Sequence, residues 1–463
     1  MNVCKMAAGV YPEISLPGLS GDYADIERAA RIFAGDTPWK TAKKSGLYHS
    51  GTRSIHTIGT AKILCDYFSQ LIFSEQPSFS ASNAECQKFL DGVLNTSGFW
   101  RLAPEWLSFS FALGGGALKA RLCGGEVMAD FINADRFIPI SWSGRNIDGG
   151  VFCSQMRKGE LWYVLLERQS RNSDGEYFIE HRLFRSKTFS QLGDECPLSE
   201  LYPDLPPLVI CPDAPPLFAY FRPAGANNLH PDSPVGLSVF ANAVDTIKAL
   251  DVAFDSFARE FILGKKRIIV PSSCVQTVAD IATGELRRYF DADDEAYVAL
   301  KCDEESDLKI IDNTVTLRVD EHIKAINALL NLLCFQTGLS AGALSFDEIR
   351  GVRTATEILY RDNKTAAAAK ANKNLLTEAF EPLAKAILYL GAASGAIPRD
   401  KAAECSVTIG WHDGIVCDDN TLIDNNIKLV NAGLKSKVSA MMEIFKCDEE
   451  TARKELSQLT IDN

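Results

Sequence analysis

The sequence predicts an α+β fold that is mostly helical, and its hydrophobic pattern carries that prediction. Up to about residue 113, and again after residue 233, apolar residues recur at steps of three and four, the period of helices packed on one face. Between residues 115 and 184 the pattern becomes short apolar runs. Gly124-Gly125, Asp148-Gly149-Gly150, Lys158-Gly159 and Asp174-Gly175 break these runs, as expected of an antiparallel meander. The late helical segments are also long, and a Gly-punctuated loop at 338–353 interrupts them.

In order along the chain, residues 23–34 read as an amphipathic helix ending before Gly35. Further helices are expected at about 55–73, 83–96 and 99–113. The meander follows, with "GELWYVLLERQ" its clearest strand, and residues 187–216 read as a long proline-rich connection. At Ser233-Pro234 the cap chemistry predicts a new helix, with Ser233 as N-cap and Pro234 in the first turn. Its stripe is Phe240, Val244, Ile247, Leu250, Phe254, Phe257 and Phe261, close to a heptad seam. Gly264 is expected at C′. The helix would be about 30 residues, or about 45 Å.

A basic cluster, Lys265, Lys266 and Arg267, then leads into a small mixed module. Eight carboxylates and one lysine lie between Asp291 and Asp307. A helix over 317–337 carries Val319, Ile323, Ile326, Leu330 and Leu333 on one face and ends at Gly338. After the Gly-rich loop, Thr354 and Glu357 form a capping box for a helix running to about 392, with a kink expected at Pro382. The last 70 or so residues hold a strand, "SVTIGW", and short helices with Asp448 as a cap.

The net charge of −12 and pI of about 5.2 argue against a global basic surface for gripping nucleic acid. Thirteen cysteines, an odd number without a C-x-x-C pair, suit a reducing compartment in which they serve as small apolar residues. The N-terminus has no apolar core of a signal peptide, and no window of eighteen apolar residues predicts a membrane span. No nucleotide-binding or zincin motif occurs. The Gly114-Gly115-Gly116 run has helix before strand, the reverse of a phosphate cradle. His412, Asp413 and Asp418, with Cys417 nearby, are the best candidates for a metal-assisted hydrolytic site. With no second histidine at ligand spacing, a polar turn is the simpler reading. The acidic runs do not fit a calcium loop and read as a solvated or partner-facing surface. No catalytic, cofactor or metal residue is therefore assigned.

The central order of elements is more specific: long helix, basic-then-acidic β-module, second helix, Gly-rich loop, very long helix. "PVGLSVFANAVDTIKALDVAFDSFAREFILGKKRIIVP" and "FQTGLSAGALSFDEIRGVRTATEILYRDNKTAAAAKANKNLLTEAF" resemble the corresponding segments of tailed-phage portal proteins of the siphophage type. "AGLKSKVSAMMEIFKCDEETARKELSQL" is similar to that family's tail, so the likeness spans at least 234–460. The resemblance implies a portal-protein fold with long stem and wing helices, an antiparallel meander and a small α/β clip module. It implies a wing at 1–233, stem helices at 234–264 and 317–337, and a clip at 265–316. A tunnel loop would follow at 338–353, then a long kinked wing and crown helix at 354–392 and a C-terminal crown region at 393–463.

It further implies a ring, usually of twelve subunits, at one capsid vertex of the virion, assembled in the host cytoplasm. Double-stranded DNA would pass through it during packaging and ejection. Implied partners are the terminase large subunit, the head–tail adaptor, and the major capsid and scaffolding proteins, with no membrane. Phe240, Ile247, Phe254 and Phe261 are expected to pack the stem. Ser345, Asp347, Glu348, Arg350 and Arg353 would face DNA. Lys265, Lys266, Arg267, Asp293, Asp294, Glu304 and Glu305 would dock partners at the clip. The rival readings are another virion structural or adaptor subunit, and the hydrolase.

Overall fold

Helices come first. α1 (Ser20–Phe33) is followed by a hairpin of β1 (Thr41–Ser45) and β2 (Ser50–Ser54), then α2 (Thr60–Ile72), β3 (Ser78–Ala81), α3 (Ala84–Thr96) and α4 (Phe99–Leu113). The computed structural model describes residues 10–11, 19–45, 50–74, 76–264, 268–271, 277–279, 286–288, 297–300, 311–312, 315–346, 363–411, 419–445, 452–454 and 456. The predicted helices stand within a few residues of their expected bounds. The start of α3 is chemically marked, because Asn83 Oδ1 accepts from the backbone N–H groups of Glu85 and Cys86. The β1–β2 hairpin was not foreseen. "TAKKS" and "SGTRS" carry no apolar alternation, so the pairing of Thr41 with Ser54 has no sequence signal.

The period-2 region forms β4 (Gly116–Cys123), β5 (Glu126–Asn133), β6 (Phe137–Ser143), β7 (Asn146–Lys158), β8 (Leu161–Arg171) and β9 (Tyr177–Ser186). It is not one meander. β4 and β5 join β12 (Phe218–Phe221) in a three-stranded sheet. β6 to β9 form a separate sheet whose far edge is β10 (Asp194–Cys196) and β11 (Leu208–Cys211), both antiparallel to β9. The expected connection at 187–216 thus contributes two short edge strands. The sheets separate after a 3₁₀ turn at Ala134–Arg136 and pack through Phe137, Phe152, Phe218 and Tyr220. One buried ion pair joins them, Lys119 Nζ to Glu167 Oε2 at 2.7 Å. Burial alone would raise the Glu167 carboxyl. The Lys119 ammonium, together with the His181 and Gln169 side chains, outweighs it and holds the group below its ordinary range.

The chain then takes a course that the cap chemistry did not predict. Residues 234–240 are not helical, and α5 spans Val244–Leu263, after a 3₁₀ turn at Ala241–Ala243. Ser233 Oγ accepts from the Val235 N–H within a local turn, rather than capping a helix. The reason is tertiary. The Val239 N–H donates to the Phe111 carbonyl at 3.0 Å, and a Cβ on Gly236 would meet the Gly114 carbonyl at 2.4 Å. The two chains pass too closely for a helix, and Gly114 and Gly236 make the approach possible.

Five short strands follow: β13 (Ile268–Pro271), β14 (Thr277–Ala279), β15 (Leu286–Arg288), β16 (Tyr297–Leu300) and β17 (Ile311–Asp312). β13 is parallel to β16 and antiparallel to β17, and β14 pairs with β15. Then come α6 (Val319–Thr337), α7 (Asn363–Ala393), α8 (Arg399–Glu404), β18 (Val407–Gly410), α9 (Asp419–Asn431) and α10 (Lys437–Phe445). α7 runs on through Pro382 to Ala393. Thr354 and Glu357, the expected capping box, and Asp448 lie outside the described residues. β18 pairs with β3, more than 300 positions away, in the register Val407 to Ala81.

The core is aromatic. The Phe99 ring, fully buried, lies 4.9 to 5.9 Å from the rings of Phe79, Trp100, Phe131 and Phe380. α4 and α7 therefore share one packing centre with β3 and β5. Replacing Phe99 by Ala is expected to cost about 3–5 kcal/mol, read as a shift in the denaturant midpoint at unchanged slope.

Candidate functional site

α5 and α6 form an antiparallel pair joined through the strands at 268–312. Thr246 Oγ1 donates to Gln336 Oε1 at 2.8 Å at one end, and Arg318 grips Glu260 at the other. The fourteen positions between Thr246 and Glu260 correspond to about 21 Å of helix. Ile247 and Leu250 on α5, and Ile326, Leu330, Leu333 and Cys334 on α6, are all buried. Phe240, expected in the helical stripe, is also fully buried but precedes the helix. Phe254 is half-buried, and Phe261 is 45% exposed. The expected stem-packing set is therefore graded along the pair, buried where α5 begins and open where it ends.

That far end is clamped. Arg318 donates from Nε and Nη2 to the two Glu260 carboxylate oxygens at 3.1 and 2.9 Å, and its backbone N–H adds a bond at 3.3 Å. His322 Nε2 lies 3.6 Å from the same carboxylate. The Arg318 fork, reinforced by its backbone N–H, holds the Glu260 carboxyl down at about 2. Gly264 was expected to supply a left-handed C′ residue. Its φ is −81°, and a Cβ there would meet Leu317 Cδ2 at 2.3 Å, so close packing explains this glycine rather than handedness.

Two carboxylates root α5 in the N-terminal region. Arg53 forms a two-pronged bond to Asp255, at 2.7 and 2.6 Å, and the His56 N–H donates to Asp255 Oδ1 at 3.2 Å. One turn earlier Asp251 accepts from Trp39 Nε1 at 2.8 Å and from the Ile58 N–H at 3.1 Å. Both carboxylates are buried. The Arg53 hydrogen bond lowers the Asp255 pKa. Burial raises that of Asp251, whose partners are neutral. Neither aspartate, nor Trp39 or Arg53, was singled out from the sequence. The available signal was Asp251 and Asp255 lying four and eight positions after Ile247, on the apolar side of a helix.

The loop after α6 is tied down over its first half. Gly338 adopts φ +78°, as its C′ role required, and Leu339 N–H returns to the Cys334 carbonyl. Ser340 and Thr365 exchange backbone-to-hydroxyl bonds at 3.0 and 3.3 Å. Asn331 and Asn327 side chains accept from the Gly342 and Phe346 N–H groups at 2.8 Å each, folding the segment back along α6. Phe346 then sets its ring 6.3 and 6.0 Å from those of Phe254 and Phe257. Residues 338–346 are therefore an ordered return rather than a floppy break.

Among the expected DNA-facing residues, Ser345 is exposed, while Asp347, Glu348, Arg350 and Arg353 lie outside the described residues. So do the clip residues Lys265, Lys266, Arg267, Asp293, Asp294, Glu304 and Glu305, and the alternative site at His412, Asp413 and Asp418. Among the described residues no three His, Cys, Asp or Glu side chains gather as a metal site, and no helix is long and apolar enough to cross a membrane.

The fold thus sets an antiparallel helix pair, with a strand module between its two helices in sequence, against a helical and β-rich body. The family model for phage portal proteins of the SPP1 Gp6-like type matches residues 21–461. The chain belongs to that family, and its role is that of a portal, a connector component of the virion. No curated protein matches it. Among solved structures it is similar to the neck of an empty GTA particle computed with C6 symmetry, at a TM-score of 0.41 and 11% identity, over 91% of this chain and 93% of that one.

Two measurements probe the rooted, clamped pair. Asp251→Ala leaves the Trp39 and Ile58 donors without their acceptor and is expected to cost about 1–3 kcal/mol in chemical denaturation. Glu260 has a folded-state pKa of about 2 against an ordinary 4.5. Its clamp therefore contributes fully above the ordinary value and is lost as pH falls through about 2. Thermal midpoints of wild type and Glu260→Gln should differ by a constant amount at neutral pH and converge on acidification.

Proposed function

We propose that copies of this chain form a ring of twelve, with α5 and α6 as stem helices around a channel that conducts double-stranded DNA during packaging and ejection. One observation carries this reading: the stem pair packs its inner face yet leaves large apolar side chains in water. Phe335 is 71% exposed, Ile262 56%, Leu263 54%, Val252 46% and Leu332 45%. Such a surface on a projecting pair calls for cover, and an adjacent copy in a closed ring supplies the same cover to every subunit.

In this reading residues 265–316 are the clip that docks the terminase large subunit and later the head–tail adaptor. Asp293, Asp294, Glu304 and Glu305 supply its acidic face, and Lys265, Lys266 and Arg267 its basic base. Residues 338–353 serve as the tunnel loop in this reading, with the charges of Asp347 and Glu348 offsetting those of Arg350 and Arg353. Near-neutral charge lets DNA slide, because a channel gripping phosphates would release counterions and bind tightly. The wing and crown meet the major capsid and scaffolding proteins, and assembly takes place in the host cytoplasm.

Phe335→Asp tests the reading. The residue is exposed, and the Lys364 ammonium stands over its ring at 5.4 Å. The variant should keep the wild-type circular dichroism and thermal midpoint while electron microscopy shows subunits in place of rings. Rings of unchanged number and symmetry would overturn the assignment of this face, and a wild-type chain that never assembles would overturn the ring itself.

A further inference from the structure

The C-terminal strand closes onto the wing at one place, where two cysteines meet. β18 pairs with β3, and beyond the ladder the Ser82 N–H donates to the Ser406 carbonyl at 2.9 Å while the Ser406 N–H donates to Ser82 Oγ at 3.1 Å. Lys401 Nζ lies 2.7 Å from Glu85 Oε1. Between these ties sit Cys86, in the first turn of α3, and Cys405, just after α8. Cys86 Sγ donates to the Lys401 carbonyl and Cys405 Sγ accepts from Ser82 Oγ, each at 3.7 Å. Each thiol thus bonds the residue four positions before the other cysteine, which brings the two side chains to the same junction. Both thiols are free; Cys86 is fully buried and Cys405 is 9% exposed.

We propose that Cys86 and Cys405 are a dithiol modification site, which a small disulfide such as oxidised glutathione converts to an intramolecular disulfide that locks α3 to the C-terminal strand. The chemistry is thiol–disulfide exchange. The Cys405 thiolate, at the margin of exposure, attacks one glutathione sulfur, and the glutathione S–S bond breaks as one thiolate leaves. The Cys86 thiolate then attacks the Cys405 sulfur of the mixed disulfide, and the second glutathione leaves. The protein gives up two protons and two electrons, and the oxidised glutathione takes both to become two thiols.

The surroundings set the rate. Burial pushes the Cys86 thiol up to about 11, with the neighbouring Cys405 thiol adding to the rise. The resolving step is therefore slow at neutral pH and speeds up as pH rises. In a reducing cytoplasm the pair stays open. In an oxidising medium it closes slowly and lastingly, cross-linking positions 86 and 405 and so restricting the unfolded chain over most of its length.

The test uses the full-length chain, incubated with oxidised glutathione at mildly alkaline pH. Free thiols are alkylated and the protein digested without reduction. The expected result is one linked peptide pair joining Cys86 to Cys405, two hydrogens lighter than the reduced pair and released by dithiothreitol. The oxidised protein should also have a raised thermal midpoint. Cys86→Ser and Cys405→Ser should each abolish the link and the gain, while Cys65→Ser, at a buried cysteine elsewhere, should keep both. If either serine variant fails to fold, the wild-type peptide map decides alone. Full alkylation of both cysteines after oxidation, a lasting glutathione adduct at Cys405, or a link to another cysteine would each overturn the proposal.

Discussion

A helix that leaves the body of a protein has to be held where it departs, and in this chain two buried carboxylates do that holding. Asp251 and Asp255 sit one turn apart on α5 and accept from Trp39, Arg53 and two backbone N–H groups of the segment after the β1–β2 hairpin. Each bond goes to a buried carboxylate, a setting that strengthens hydrogen bonds to an ionised acceptor. The direction of α5 depends on this root. Without it, only the apolar face shared with α6 would orient α5, and apolar packing tolerates sliding and rotation better than a two-pronged guanidinium bond does.

The far end of the same pair is fixed by a different device. There Glu260 and Arg318 are on the solvent side, and their geometry rather than burial makes the link directional. With the Thr246–Gln336 bond where α5 begins, the two helices are tied at both ends and packed between. The return of residues 338–346 adds a third tie, since Phe346 brings an aromatic cover to Phe254 and Phe257. The pair is therefore tied at three places within the subunit, while its outer apolar face stays open.

The rest of the fold is organised around α4 and α7. Their aromatic and aliphatic side chains meet the strand β3, which in turn is completed by β18 from the far end of the chain. The first and last parts of the sequence thus share one core. Gly114, Gly116 and Gly236 mark the places where this core brings backbones, or backbone and a Trp106 ring, closer than a side chain permits. The same crowding turns residues 234–240 away from a helix that their own cap chemistry favours.

What the sequence by itself determined were the features set by local periodicity and by chemistry within one turn. These include the helices of the first 113 residues, the strands broken by glycine turns, the left-handed Gly338 and the order of long helix, β-module and long helix that carries the family resemblance. Tertiary structure alone decided the rest. The polar strands β1 and β2 have no apolar alternation to announce them. The split of the meander into two sheets depends on which aromatic faces meet. The start of α5 is set by a carbonyl more than a hundred positions away, and the pairing of Asp251 and Asp255 with Trp39 and Arg53 spans about two hundred. The physical reason is common to all of these. A hydrogen bond or a close backbone approach between distant segments outweighs the modest local preferences of a helix cap or a strand, and nothing in either segment alone encodes its partner.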